Sequence, residues 1–282
     1  MGNKQNKSKN KNRLSIAIEN IKQEKINKKR LSKPIKTEYK TLEELQSALE
    51  KAGLQSSNLI IGIDCTLSND YTGKISFNGD PLHIIDKNKP NPYIRVMEIV
   101  GRALCPYDDD GLIPIYRFGD EETKDITVKS FSENDEPFKG MNEAIERYKT
   151  VIQTLHKSGR TSFVPSIEKA VEIVKQTKQY HILISICDGI VNDFKANKEA
   201  IEKASEYPLS IVCIGVGDGP FGDMTEFDNR LGNSKFDNFH FVNFTEICQD
   251  HKKNVDEAFA CKALCEIPEQ YEMIKILNYL NN

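Results

Sequence analysis

Chemistry in this chain begins at Asp64-Cys65-Thr66-Leu67-Ser68, where a carboxylate precedes a thiol and two hydroxyls spaced two apart. The stretch by itself permits a nucleophile loop, a metal cradle, or a strand end followed by an ordinary polar turn. Two further candidates occupy comparable places. "ICDGI" sets Asp188 at the end of an apolar run, with Gly189 free to turn, and "SGRTSFVPSIEKA" sets Thr161 in a loop just ahead of a helix that Pro165 can start. Asp64, Thr66, Ser68, Thr161 and Asp188 together supply two carboxylates and three hydroxyls. Hard oxygen donors without histidine or thiolate suit Mg2+ or Mn2+. Each residue also has a plain structural use, because an Asp ending a strand often caps a helix and loop hydroxyls often bond local backbone.

Enzyme readings meet obstacles in the same residues. An aspartyl-phosphate mechanism wants a second acid two residues after the nucleophilic Asp, and Thr66 stands there. "GVGDGPFG" fails as a dinucleotide fingerprint because Pro220 lies where the last glycine is required. A Cys65 nucleophile needs a base, and none of His83, His156, His181, His240 and His251 is tied to it by sequence. Asp108, Asp109 and Asp110, closed by Gly111, read as a solvated turn, with a second cation site as the lesser alternative. Cys261 and Cys265 lie four apart on an expected helix, without the second pair that a structural zinc site needs.

The elements that must position these groups are legible as alternating patterns. Residues 58–64, 112–118, 180–188, 209–217 and 239–244 are short apolar runs of the kind that strands buried on both faces show. Helical stripes lie between them: Tyr93, Val96, Met97, Val100 and Leu104; Met141, Ile145, Tyr148, Ile152 and Leu155; Ile167, Ala170, Val171 and Val174. Residues 195–206 and 245–261 add helices, as does a last one with Met273, Ile276, Leu277 and Leu280 roughly on one side; residues 126–131 read as an edge strand. Thr41 and Glu44 open a first helix that Gly53 can end. This order predicts an α/β fold, a doubly wound and mostly parallel sheet with helices on both faces, whose ligands sit beyond the carboxyl ends of the strands.

Charge divides the chain unevenly. The 282 residues carry a formal charge of −3, yet residues 1–40 hold 13 Lys and Arg against three Glu, and the remainder is acidic. We therefore expect a basic, disordered arm over 1–40 and one domain over 41–282. An acidic body argues against nucleic acid as its partner. The arm suits an anionic membrane surface, and Gly2 is a myristoylation candidate although Asn6 replaces the usual Ser or Thr. No apolar run reaches a membrane span, no signal peptide opens the chain, and seven scattered cysteines suit a reducing compartment, so the expected location is cytoplasmic with peripheral membrane contact.

A D-x-[ST]-x-S loop with a later Thr and a later Asp-Gly resembles the metal-ion-dependent adhesion site of von Willebrand factor A domains. The segments "SSNLIIGIDCTLSNDYTG", "PLHIID", "NPY", "LIPIYRFGD", "SGRTSF", "YHILISICDG" and "EIPEQY" make the chain similar to the copine subtype, and most to the version in plant RING-type ubiquitin ligases, from about Leu42 to Tyr271. The resemblance implies a Rossmann-like fold and a dication held by Thr66, Ser68 and Thr161, with Asp64 and Asp188 acting through water. It also implies a protein partner whose acidic side chain completes the metal shell. The paired C2 domains of true copines have no room ahead of the domain, and no RING follows it, so a binding module rather than an enzyme is expected. The alternative is an accessory scaffold that binds partners without metal.

Overall fold

Pro114 decides how the first edge of the sheet is built: it lacks an N–H, so the run 112–118 forms two strands rather than one. A computed structural model describes residues 24–25, 27–108, 110–229 and 232–280; Gly2, residues 1–23 of the basic arm and Asp109 lie outside the described residues. In chain order the strands are β1 (Asn58–Asp64), β2 (Leu112–Ile113), β3 (Ile115–Phe118), β4 (Lys129–Ser130), β5 (Phe138–Lys139), β6 (His181–Cys187), β7 (Leu209–Gly215) and β8 (Phe239–Asn243). Six of them make one sheet in the order β4-β3-β1-β6-β7-β8, parallel except for β4, while β2 and β5 pair separately. The expected edge strand over 126–131 is reduced to two paired residues, and Ile126 is exposed in a turn.

The helices are α1 (Leu42–Ala52), α2 (Pro92–Leu104), α3 (Gly140–Ile152), α4 (Val164–Thr177), α5 (Phe194–Ala204), α6 (Gly222–Asn229), α7 (Phe244–Asp250), α8 (Val255–Leu264) and α9 (Ile267–Ile276). Successive strand residues point to opposite faces. Ile61, Ile63, Ile182 and Ile184 therefore join a core with Leu45, Met97, Ile145, Phe259 and Ile274, on the side of α1, α2, α3, α8 and α9. Ile60, Leu183 and Cys213 join a second core with Ile167, Ile201 and Met224, on the side of α4, α5 and α6. Burial on both faces is why these strands read as continuous apolar runs.

Connections from β1 lead toward β3, and those from β6 lead away toward β7. The crevice between the carboxyl ends of β1 and β6 is therefore the topological switch point, where ligands of such sheets bind. Asp64 ends β1 and Asp188 directly follows β6.

The domain's contacts begin ahead of Thr41, where the sequence pattern put its start. Ile35 is buried and donates its N–H to Asp237 Oδ2 at 2.7 Å; Thr37 hydrogen-bonds Glu269, Arg30 pairs with Glu272 at 2.6 Å, and Glu38 pairs with Lys262 at 2.6 Å. Leu31, Ile35 and these four polar contacts lay residues 30–38 against α8, α9 and the segment ahead of β8. Among the described residues no helix is long and apolar enough to cross a membrane.

Candidate metal centre

Asp64 is fully buried at the end of β1. Its Oδ1 accepts the Thr66 N–H at 2.9 Å, which folds the chain back into a tight turn, and its Oδ2 accepts from Thr161 Oγ1 at 3.2 Å. Thr66 Oγ1 lies 2.8 Å from Ser68 Oγ, and Ser68 Oγ donates to Asp188 Oδ1 at 3.0 Å. The structure thus brings all five sequence candidates into one hydrogen-bonded cluster spanning the loops after β1, before α4 and after β6. Only Ser68 of the five is exposed, so the cluster opens to solvent on its side. Asp110 does not join it and instead accepts the Leu112 N–H at 2.8 Å, beside Gly111 at a φ of 64°.

Electrostatics favour a cation here. Burial and then the neighbouring Asp188 charge push the Asp64 carboxyl up to about 8, and burial raises Asp188 as well. Neither group makes an ion pair among the described residues, so the cation-free site keeps a proton on Asp64 where a cation would compete for the oxygens. Oxygen donors alone, three of them uncharged, fit a hard dication such as Mg2+ or Mn2+. Cys65 points away into the core, where burial pushes its thiol well above the ordinary range and removes it as a nucleophile.

Several supporting residues were not singled out from sequence. Thr72 Oγ1 donates to Asp188 Oδ2 at 2.6 Å, eight residues past Asp64 and with no motif to mark it. Beneath the loop, His83 Nε2 lies 2.8 Å from the Asp64 carbonyl oxygen, which can only accept, so Nε2 carries the hydrogen and Nδ1 accepts from Tyr148 Oη at 2.7 Å. Burial lowers His83 to about 3, so the ring is neutral. Tyr93 stacks on it at 4.1 Å and donates to Asn69 Oδ1 at 2.6 Å, while Asn69 Nδ2 holds the Thr66 carbonyl at 3.1 Å. An uncharged platform therefore fixes the loop without competing for the cation.

Gly119, just past β3, has a φ of 82°, and a Cβ there would fall inside the van der Waals shell of Thr66 Cγ2. Gly119→Ala would both strain the backbone and displace Thr66. We expect the variant to fold but to lose Mg2+ or Mn2+ affinity at least tenfold by calorimetry. Unchanged affinity would show that Thr66 is not a ligand.

The mostly parallel sheet with helices on both faces has the form of a von Willebrand factor A type fold. The sequence model of the Copine family matches residues 81–282. "Copine family protein 2" of Caenorhabditis elegans is 45% identical over 247 residues, covering 86% of this chain and 3% of that protein. "E3 ubiquitin-protein ligase RGLG3" of Arabidopsis thaliana is 44% identical over 255 residues, covering 85% of this chain and 69% of the relative. This chain belongs to the copine family. Among solved structures, that of the manganese-loaded TRAP protein of Plasmodium vivax is similar at 16% identity and a TM-score of 0.45, over 74% of this chain and 75% of the other.

Proposed function

We propose that the chain is a divalent-cation-dependent protein-binding module. The observation that carries this reading is the pair of buried acidic side chains, Asp64 and Asp188, bonded by the hydroxyls of Thr161 and Ser68 in a cluster that opens to solvent at Ser68. Thr66, Ser68 and Thr161 would hold Mg2+ or Mn2+, with Asp64 and Asp188 orienting bound water. The cation supplies an electrophilic, exchangeable position that a partner's acidic side chain can fill. Around the opening, Leu67, Tyr71 and Ile190 are 47%, 60% and 54% exposed, an apolar rim of the kind that protein contacts cover.

Binding rather than catalysis is the reading these groups support. The hydroxyls bond one another and the carboxylates, and Cys65 is buried, so no side chain of the cluster is poised as a nucleophile. Ligase activity belongs to the name of the plant relative and is not part of the proposal. The basic arm would add contact with an anionic membrane surface.

Capture of a partner by the immobilised chain should require the cation, and chelation should release it. Thr161→Ala should weaken capture about tenfold or more, since it removes a metal-facing oxygen without altering charge, whereas neutralising Asp110 should not. Capture that survives both chelation and the Thr161 substitution would favour a scaffold that binds without metal.

A further inference from the structure

A second set of ligand-type side chains lies away from the oxygen cluster, on the edge strand β8. His240 lies near its amino end, Asp228 near the end of α6, and Glu266 between α8 and α9. One atom from each falls within 4.8 Å of the other two. His240 and Glu266 are buried, and Asp228 is partly exposed.

The imidazole is oriented from behind. His240 Nε2 lies 2.9 Å from the Lys262 carbonyl oxygen, which can only accept, so Nε2 carries a hydrogen. Nδ1 then faces Asp228 Oδ1 and Glu266 Oε1, each at 3.2 Å. A bare lone pair set against two carboxylates is repulsive, so a proton, on Nδ1 or on a carboxyl oxygen, or a cation must sit between them.

The spacing admits a metal ion: ligands at about 2.0–2.1 Å around a tetrahedral centre stand roughly 3.3 Å apart, and both Nδ1···O distances are 3.2 Å. Both carboxylates are held: Phe241 N–H donates at 2.8 Å to Asp228 Oδ1, the oxygen that faces Nδ1, and Gln270 Nε2 donates at 3.3 Å to Glu266 Oε2, the oxygen that does not. Gln270 itself is fully buried with its Oε1 unpartnered. A ring N–H on a backbone carbonyl and a hydrogen bond to each carboxylate are usual surroundings of metal-ligating side chains.

We infer that Asp228, His240 and Glu266 form a transition-metal site of the zinc class, separate from the oxygen-only cluster. One imidazole nitrogen with two carboxylates is a three-ligand set that leaves a fourth position for water. A dication brings this set to neutrality, where a proton would leave one negative charge. A cavity of about 690 Å³ that reaches Asp228 and Cys265 gives the ion a path in.

The test uses the full chain, stripped of metal, in an Asp64→Asn background that disables the other cluster. Zn2+ is titrated by calorimetry and Co2+ by visible absorption. We expect one equivalent of each, with intense low-coordinate Co2+ bands, and His240→Gln should cut affinity by about 100-fold or more, beyond the about 10–100-fold that loss of a supporting contact costs. Glu266→Gln and the imidazole nitrogen signals of the background protein serve if His240→Gln does not fold; Zn2+ should shift Nδ1 while Nε2 keeps its hydrogen. Absence of uptake, uptake undiminished in both variants, or an Nδ1 that stays protonated in excess Zn2+ would overturn the site and leave a buried imidazolium ion pair.

Discussion

Saturating Mg2+ or Mn2+ raises the Tm of the cation-free protein, by more at pH 8 than at pH 5, and Asp64→Asn abolishes both the rise and its pH dependence. The sign follows from proton counts. The folded, cation-free protein keeps the Asp64 proton to about 8, whereas the unfolded chain releases it near 4. Between those values the folded state binds more protons, so its stability falls as pH rises. A cation needs the deprotonated carboxylate, competes with the proton at pH 5, and meets less competition at pH 8. At 100 times its Kd a ligand of the folded state alone contributes about 2.7 kcal/mol. Asn keeps an oxygen for the Thr66 N–H, so the variant should fold and, without cation, be at least as stable as the parent at pH 8. Differential scanning calorimetry at both pH values decides the matter. A rise undiminished in the variant would place the ion elsewhere, and the Asp228, His240 and Glu266 cluster would be the first place to look.

Arg117→Met should lower stability by about 3–5 kcal/mol, the largest loss expected of a single surface-distant charge in this fold. Arg117 and Asp120 form an ion pair at 2.6 Å, and their side chains are almost wholly buried. Asp120 also accepts from Thr123 Oγ1 at 2.8 Å and from the Glu122 N–H at 2.9 Å, which shapes the turn carrying Gly119 against Thr66. Removing the guanidinium leaves that carboxylate buried and unpaired. The paired substitution Arg117→Met with Asp120→Asn removes both charges and should recover much of the loss. Urea denaturation checks both, and a loss under about 1 kcal/mol for Arg117→Met would mean that water reaches Asp120.

Much of this architecture is legible in the sequence because local rules and tertiary demands agree. Runs such as 58–64 and 180–188 are apolar throughout because both faces of the sheet are covered, and the candidate oxygens stand at the ends of those runs. The helix start at Thr41 and the stop at Gly53 follow from backbone chemistry that acts over a few residues. Legibility fades where contacts join distant residues. Nothing near His83 announces that its ring supports the Asp64 carbonyl 19 residues earlier, nor does Thr72 announce Asp188, 116 residues later. Charge alone marks residues 1–40 as an arm, whereas Ile35 is buried and its N–H finds a carboxylate 202 residues away. Short edge pairings such as β4 depend on what lies opposite, and residues 126–131 carry too little apolar pattern to fix their length.

Residues 30–38 lie against α8 and α9, and Tyr271 of α9 packs its ring 5.1 Å from Tyr180, just ahead of β6. That anchorage is at the amino ends of the strands, while the oxygen cluster is at their carboxyl ends. A pull between a captured partner and the basic arm would therefore run along the strand axes. Asn58 to Ile63 of β1 lie in parallel register with His181 to Ile186 of β6, so their hydrogen bonds would bear the load together in shear instead of parting one after another. Such loading resists rupture through the height of the unfolding barrier rather than through equilibrium stability. In a single-molecule stretching experiment this domain should hold to higher force when gripped at residue 34 and Ser68 than when gripped across the two edge strands.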